Sequence, residues 1–330
     1  MERRFHKTLR QAIGDRQPAC SPRSGHTLIE LMIAMAIAGL VLVGVYTAFG
    51  AQLKTHTGQQ LTVEIQQHIR SALTLMQRDI RMAGYDATWR DDNGDGLHDT
   101  RNADLIDNDC DGRIDAADTA GDEAGDQAGF IAAGAHYLQF RLDRGGDGDF
   151  CDSEDRIGFG FATARDRNRD GIADAGAAPL GRSTGGGGLQ PLAENFQAIA
   201  FGYAFDDDRG AAIPDGGIDM NGRNVVWAYD SDADGFLDTL LDSNADGVID
   251  SADDLDGNGR IDDVALTPAV PIKRIRAVHI WLLARTRSPL RGHLDRNTYV
   301  VGDKVLFFGD HYKRELLTAI VYCRNLGLRL

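Results

Sequence analysis

The distribution of apolar and charged residues predicts one long helix at the start of the chain. Residues 31–53 contain no charged side chain, and about 20 apolar residues are enough for a helix to span a bilayer. From Lys54 to Ala83, apolar residues recur at three- and four-residue spacings, which indicates one buried helical stripe. The stripe consists of Leu61, Ile65, Ile69, Ala72, Leu73, Met76 and Ile80. Both segments run together without proline, so we expect one helix from about Thr27 to Met82, with Gly84 as its stop.

The rest of the chain contains short segments in which apolar and polar residues alternate, as in half-buried strands. These segments are 137–142, 156–161, 196–205, 225–229, 275–285 and 313–326. They predict an antiparallel sheet of four to six strands that packs on the second half of the helix. The predicted fold class is therefore α+β. The glycine run 185–188 is predicted to be a flexible loop.

A single carboxylate, Glu30, stands at the start of the apolar segment. A charge at the centre of a membrane helix costs roughly 2.5–3.5 kcal/mol on insertion scales, and such a charge usually has a partner. Cleavage after Gly25 would free the amino group of His26, four residues before Glu30. In a helical stack of subunits, Glu30 of one subunit could then meet the amine of a neighbour.

The order Gly25-His26-Thr27-Leu28-Ile29-Glu30, followed by an apolar helix, resembles the class III signal of type IV prepilins and of type II secretion pseudopilins. The resemblance implies that prepilin peptidase cuts between Gly25 and His26 and that Glu30 acts in assembly. His26 stands where these proteins usually have phenylalanine. The alternative is an ordinary signal anchor in which Glu30 is incidental.

Residues 75–85 resemble the end of the first helix in PilW-type minor pilins, where Arg-Asp-Ile-Arg-x-Ala-Gly-Tyr is typical. Segments 275–285 and 313–326 are similar to the central and closing strands of that family. The resemblance implies a type IV pilin fold whose partners are other minor pilins, the major pilin and a tip adhesin. It divides the chain into a leader at 1–25, a transmembrane and assembly helix at 26–53, an amphipathic half at 54–85 and a head at 86–330.

Acidic loops at 91–126 and 206–263 form a second pattern. A calcium loop has oxygen ligands at positions 1, 3, 5, 9 and 12, a backbone carbonyl at position 7 and glycine at position 6. Two segments match this register through position 12: Asp107, Asp109, Asp111, Asp115 and Asp118, and also Asp242, Asn244, Asp246, Asp250 and Asp253. Three segments match through position 9: Asp230, Asp232, Asp234 and Asp238; Asp254, Asp256, Asn258 and Asp262; and Asp91, Asn93, Asp95 and Asp99. A further partial match contains Asp166, Asn168, Asp170 and Asp174.

Three of these loops begin at Asp230, Asp242 and Asp254, a spacing that leaves no room for the flanking helices of an EF-hand. They resemble dockerin-type or thrombospondin-type repeats, which implies that Ca²⁺ organises loops with little core of their own. Without a cation, carboxylates so close together repel one another and keep such a segment disordered. The alternative is an acidic, solvated linker.

The distribution of charge is typical of an exported and anchored protein. A leader of net charge +4 is kept cytoplasmic by the positive-inside rule, and its removal from a chain of net charge −15 leaves −19. Such acidity argues against nucleic-acid binding. We therefore expect a single pass through the inner membrane, with the head outside the cytoplasm and a later location in the pilus at the cell surface.

Three cysteines remain after removal of the leader: Cys110, Cys151 and Cys323. Disulfides can form outside the cytoplasm, but an odd number leaves one thiol free or intermolecular. Cys110 and Cys151 are the candidate pair. Cys323 lies in an apolar segment, where we expect a buried side chain.

The chain contains no His-Glu-x-x-His, Cys-x-x-Cys or phosphate-loop motif, so we predict that it is not an enzyme. Three functions remain. The first is a minor pilin that primes type IV pilus assembly near the tip. The second is a minor pseudopilin of type II secretion similar to GspJ. The third is a membrane-anchored, calcium-dependent adhesive module that needs no polymer.

Overall fold

The computed structural model describes residues 25, 27–85, 129–146, 150, 152–185, 187–206 and 217–326. The chain forms two compact units, Met1–His56 and Thr57–Leu330. One long helix precedes an antiparallel sheet. This arrangement confirms the predicted α+β class.

Helix α1 spans Leu28–Arg81, within one residue of the prediction at each end. At its start, the Glu30 amide donates a hydrogen bond of 3.3 Å to the Thr27 hydroxyl, as at a helix N-cap. At its end, Gly84 has φ of 70°. Glycine adopts this left-handed conformation without steric cost, which explains why the helix stops there.

Within the first unit, Leu28–Gly50 is long and apolar enough to cross a membrane, with a mean hydropathy of 2.6. Its large apolar side chains are exposed, including Leu28, Ile33, Leu40 and Phe49. An isolated soluble helix with this surface would leave a large apolar area in water. Length and composition are therefore those of a membrane anchor.

The second unit contains fourteen strands in its described part. Their bounds are β1 Gly129–Ala133, β2 Leu138–Arg141, β3 Arg156–Gly160, β4 Ala178–Thr184, β5 Gln190–Phe205, β6 Met220–Asn221, β7 Asn224–Val225, β8 Ala228–Tyr229, β9 Phe236–Leu240, β10 Val264–Pro271, β11 Ile275–Arg285, β12 Thr298–Val301, β13 Lys304–Phe307 and β14 Arg314–Tyr322.

Ten of these strands form one sheet around the long strand β5. Strands β1 to β4 lead to the first half of β5, and β8, β9 and β10 continue from its second half through the pair Tyr203–Ala228. Strand β11 pairs with β5, and β14 pairs with β11 over nine consecutive residues. Strands β12–β13 and β6–β7 form two separate hairpins.

The predicted number of sheet strands is wrong, because four to six were expected and ten are present in the described residues. Four strands of the sheet, β1, β4, β9 and β10, were not predicted. Strands β4 and β10 contain proline or glycine, which weaken a strand pattern. The predicted strand 225–229 divides into β7 and β8. The two residues between β7 and β8 form hydrogen bonds outside these two strands. The Val226 amide donates to the Asp219 carbonyl, and the Trp227 carbonyl accepts from the Leu241 amide.

The core lies between the second half of α1 and one face of the sheet. Every residue of the predicted helical stripe is buried, and Met76 and Ile80 pack in one cluster with Phe140 and Phe201. Cys323 is also buried, as predicted, and burial raises the pKa of its thiol to about 12. The amphipathic pattern therefore identified the correct face of the helix.

The two faces of strands β2 to β4 differ. Leu138 of β2 is paired with Phe159 of β3, which is paired with Arg182 of β4, so these three residues share one face. This face points to helix α1, because the Arg182 side chain bonds to Asp79. Because side chains alternate across a strand, Gln139, Gly158 and Ser183 lie on the opposite face.

Candidate functional site

The predicted processing motif lies at the start of α1. Gly25 is exposed and precedes the helix, and Glu30 is exposed in the first turn. His26 lies outside the described residues. The roles of Gly25, His26 and Glu30 in processing and assembly therefore remain predictions.

The acidic loops 91–102 and 107–118 also lie outside the described residues, as do Cys110 and Cys151. The calcium ligands in these two loops and the disulfide between these two cysteines remain predictions. Four other acidic loops are described, and they begin at Asp166, Asp230, Asp242 and Asp254.

The four described loops share one backbone conformation. Position 6 is glycine in each loop and has positive φ, as expected for a sharp turn: Gly171 at 76°, Gly235 at 90°, Gly247 at 89° and Gly259 at 85°. Position 4 also has positive φ in each loop: Arg169 at 56°, Ala233 at 64°, Ala245 at 60° and Gly257 at 71°. The sequence predicted the turn at position 6 but not the second left-handed residue.

The same hydrogen bonds close all four loops. The position 1 carboxylate accepts from the position 6 amide at 2.9 Å in Asp166, 3.0 Å in Asp230, 2.7 Å in Asp242 and 2.9 Å in Asp254. The position 5 side chain accepts from the position 7 amide at 2.8 Å in Asp170, 2.9 Å in Asp234, 2.9 Å in Asp246 and 2.8 Å in Asn258. Each loop thus wraps its backbone around its own acidic side chains.

The loop that connects β8 to β9, together with strand β9 itself, brings three predicted ligands together. Asp230, Asp232 and Asp238 each supply one carboxylate oxygen, and these oxygens lie within 4.8 Å of one another. Calcium binds carboxylate oxygens at 2.3–2.6 Å, so oxygens on opposite sides of one ion are about 5 Å apart. The three oxygens therefore fit around one calcium ion.

The electrostatics of this loop favour a cation. Burial raises the pKa of Asp230, and the nearby charge of Asp234 raises it further, against hydrogen bonds from the loop amides that lower it. A bound cation would offset both unfavourable effects. Carboxylate oxygens suit hard cations such as Ca²⁺ and Mg²⁺, and a flexible loop suits the larger ion.

The loop from Asp242 to Asp253 differs from the other three. Its position 12 residue, Asp253, is fully buried and accepts from the amides of Ser243 at 2.8 Å and Asn244 at 3.1 Å. Its position 9 residue, Asp250, caps a short 3-10 turn by accepting from the Ala252 amide at 2.7 Å. Two predicted ligands of this loop are thus engaged in hydrogen bonds of their own.

In the other three loops, the position 2 amide donates to position 9 instead, at 3.2 Å to Asp174, 3.1 Å to Asp238 and 2.9 Å to Asp262. Among the described residues, the carboxylates of the loops at Asp242 and Asp254 form no group of three like that of Asp230, Asp232 and Asp238. The loop at Asp242 matches the calcium register through position 12, but the carboxylates converge in the loop at Asp230, which matches only through position 9.

A polar cluster that the sequence did not reveal lies beside these loops. The Asp303 carboxylate contacts His136 Nε2 at 2.7 Å, Lys304 Nζ at 2.8 Å and Arg260 Nη2 at 3.4 Å. Burial alone would raise the pKa of Asp303, but hydrogen bonds and charges from His136 and Lys304 hold it well below its usual range. His136 and Asp303 are 167 residues apart, so no local pattern could indicate their contact.

Residues 181–185 spell Gly-x-Ser-x-Gly, a motif that surrounds the nucleophile of α/β-hydrolases. In hydrolases, the serine of this motif stands on a sharp turn between a strand and a helix. Here Ser183 lies within strand β4, paired in register with Gly158. The motif therefore lacks the geometry of a nucleophile.

Comparison with known proteins supports the N-terminal motif. Residues 20–46 match the family model for the prokaryotic N-terminal methylation motif. No curated protein matches the chain in sequence. Among solved structures, a type IV-like pilin from Thermus thermophilus is similar with a TM-score of 0.26 and 16% sequence identity, over 58% of this chain and 78% of that chain. At this TM-score, the similarity is too low to support an argument about this chain.

Proposed function

We propose that this chain is a PilW-type minor pilin that takes part in priming type IV pilus assembly near the pilus tip. The observation that carries the proposal is the methylation motif at residues 20–46, which overlaps the start of the apolar helix Leu28–Gly50. The helix continues to Arg81, and an antiparallel sheet follows it in the chain. These are the parts of a membrane-anchored structural subunit.

In this proposal, prepilin peptidase cuts between Gly25 and His26, and the apolar helix holds the head outside the cytoplasm at the inner membrane. The helix then moves from lipid into a bundle formed with other minor pilins and the major pilin. Glu30 pairs there with the N-terminal amine of a neighbouring subunit. The pairing offsets part of the cost of a carboxylate in an apolar environment.

We also propose that Ca²⁺ stabilises the head. Asp230, Asp232 and Asp238 would hold one ion at the loop between β8 and β9. The ion would neutralise three neighbouring carboxylates and fix the loop between two short strands. The same backbone conformation in the loops at Asp166, Asp242 and Asp254 supports this proposal.

The assembly role is tested with Glu30→Ala, measured in the membrane fraction and in sheared pili. Removal of the charge makes the helix more apolar, so membrane insertion should persist while incorporation into pili is lost. Glu64→Ala is the matched control, because it removes a partly exposed carboxylate from the same helix beyond the apolar segment. Normal incorporation of Glu30→Ala would contradict the assembly role.

Deletion of the whole chain separates the pilus from the secretion alternative. Loss of surface pili with normal protein secretion supports the minor pilin. Loss of secretion, with the wild-type chain absent from sheared pili, would instead identify a pseudopilin.

A further inference from the structure

A groove of about 1370 Å³ lies on the second unit. Its lining includes Tyr137 just before β2, and Gln139 and Ser183 from the sheet. Residues of the loops at Asp166 and Asp230 and the cluster of His136, Asp303 and Lys304 also line it. Gln139 and Ser183 lie on the sheet face opposite to the one that packs on α1. Pockets for small molecules are about 300–1,000 Å³, so this groove has room for a longer ligand.

The Tyr137 side chain packs directly against Gly158 and Gly160 of strand β3. A Cβ atom on Gly158 would come within 2.8 Å of the Tyr137 hydroxyl, and one on Gly160 would come within 3.0 Å of Tyr137 Cδ2. Only residues without a side chain allow the ring to approach the strand so closely. Tyr137 as a whole residue nevertheless remains 37% exposed. Tyr137 thus offers an aromatic surface that is supported from below and open to the groove.

Charged and polar side chains line the groove, but their charges nearly cancel. The groove is lined by four Lys or Arg residues and five Asp residues, in a chain whose net charge is −15. The Arg260 side chain is 55% exposed, and the Tyr229 hydroxyl donates to Asp263 at 3.4 Å. The lining contains both hydrogen-bond donors and acceptors, so the groove suits a ligand with many hydroxyl groups more than one with a high charge.

We infer that this groove binds a neutral oligosaccharide. Tyr137 stacks on the apolar face of one sugar ring, and Gln139 and Arg260 bond to hydroxyl groups on neighbouring sugars. This site is distinct from the pilus-assembly role of α1 and does not require that role.

The test uses the full-length chain in lauryldimethylamine oxide micelles, because this detergent has no sugar head group. Isothermal titration calorimetry is run with three probes: the hexamers of β-1,4-glucose, β-1,4-N-acetylglucosamine and α-1,4-galacturonate. We expect at least one neutral hexamer to bind, and the charged hexamer to bind no more tightly.

Tyr137→Ala should weaken binding by about tenfold, which is the size of an aromatic stacking contribution. Tyr137→Phe should retain binding, because the ring surface remains. Tyr322→Ala is the matched control, since Tyr322 is 46% exposed on strand β14 and does not line the groove. If Tyr137→Ala lowers the melting temperature, Gln139→Ala provides a second variant and should also weaken binding.

Failure of all three hexamers to bind would overturn the inference. So would binding of the galacturonate hexamer alone, or unchanged affinity in both folded Tyr137→Ala and Gln139→Ala. None of these outcomes affects the minor pilin proposal, which is measured in sheared pili.

Discussion

Arg182 on strand β4 donates from Nε and Nη2 to the same carboxylate oxygen of Asp79 on helix α1, at 2.8 and 2.7 Å. The Asp79 side chain is 6% exposed and the Arg182 side chain 22%. The neighbouring Arg78 is 75% exposed and lies 3.5 Å from the other oxygen. The Asp79–Arg182 ion pair therefore joins the helix to the sheet inside the head, whereas the Arg78–Asp79 ion pair lies at the surface.

Asp79→Ala should lower the free energy of unfolding by about 3 kcal/mol, because it leaves a largely buried guanidinium without its counter-charge. Urea denaturation followed by circular dichroism measures this change. Arg78→Ala is the control and should change the stability by less than about 1 kcal/mol, as for exposed ion pairs. Equal effects of the two substitutions would show that the Asp79–Arg182 contact does not stabilise the head.

His279 should make the stability of the head depend on pH. Its ring lies between Trp227 and Trp281, at centroid distances of 5.1 and 3.7 Å, and burial lowers its pKa to about 4. Between pH 4 and 6.5 the unfolded chain binds a proton at this residue and the folded chain does not. The contribution of His279 is therefore complete above pH 6.5 and is lost as the pH falls to 4, by on the order of 3 kcal/mol.

The measurement is urea denaturation at pH 4.5 and 6.5 in the presence of a chelator. His279→Phe keeps an aromatic ring but removes the titration, so its stability should change less between the two pH values than that of the wild type. His56→Gln, at an exposed position, should behave as the wild type. An unchanged pH dependence in His279→Phe would contradict the prediction.

Calcium should raise the melting temperature of the full-length chain relative to chelator, and more than magnesium does. A ligand that binds only the folded state stabilises it by about 2.7 kcal/mol at a hundredfold excess over Kd. The double substitution Asp230→Asn and Asp238→Asn should remove part of this gain, since it neutralises two of the three converging carboxylates. Differential scanning calorimetry and calcium titration provide the measurements.

Asp152→Asn is the matched control for calcium, because Asp152 is exposed and lies outside the acidic loops. It should retain the full thermal shift. Identical melting curves in calcium and chelator, together with no heat on titration, would show that these loops are acidic linkers closed by their own hydrogen bonds.

Gly25→Val should block removal of the leader, because the peptidase requires a small residue at the cleavage site. Mass spectrometry of the mature N-terminus should find His26 first in the wild type and an intact leader in the variant. Gly39→Val, within the apolar helix, should be processed normally. A wild-type N-terminus at another residue would contradict the prepilin assignment.

The sequence by itself determined the features that depend on residues close together in the chain. The stripe from Leu61 to Ile80 predicted the buried face of α1, because a helix brings residues three and four apart onto one side. Gly84 predicted the end of that helix through its own backbone conformation. Glycine at position 6 of the acidic loops predicted their sharp turns for the same reason.

The tertiary structure alone decided which of these local features meet. Strand β4 has a proline and a glycine that weaken its pattern, yet pairing with β3 and β5 on its two edges makes it part of the sheet. Asp253 fits position 12 of the calcium register, but its buried carboxylate accepts hydrogen bonds from the amides of Ser243 and Asn244. His136 meets Asp303 across 167 residues. Such contacts depend on how the elements pack, because burial and long-range pairing outweigh the weak preferences of single residues.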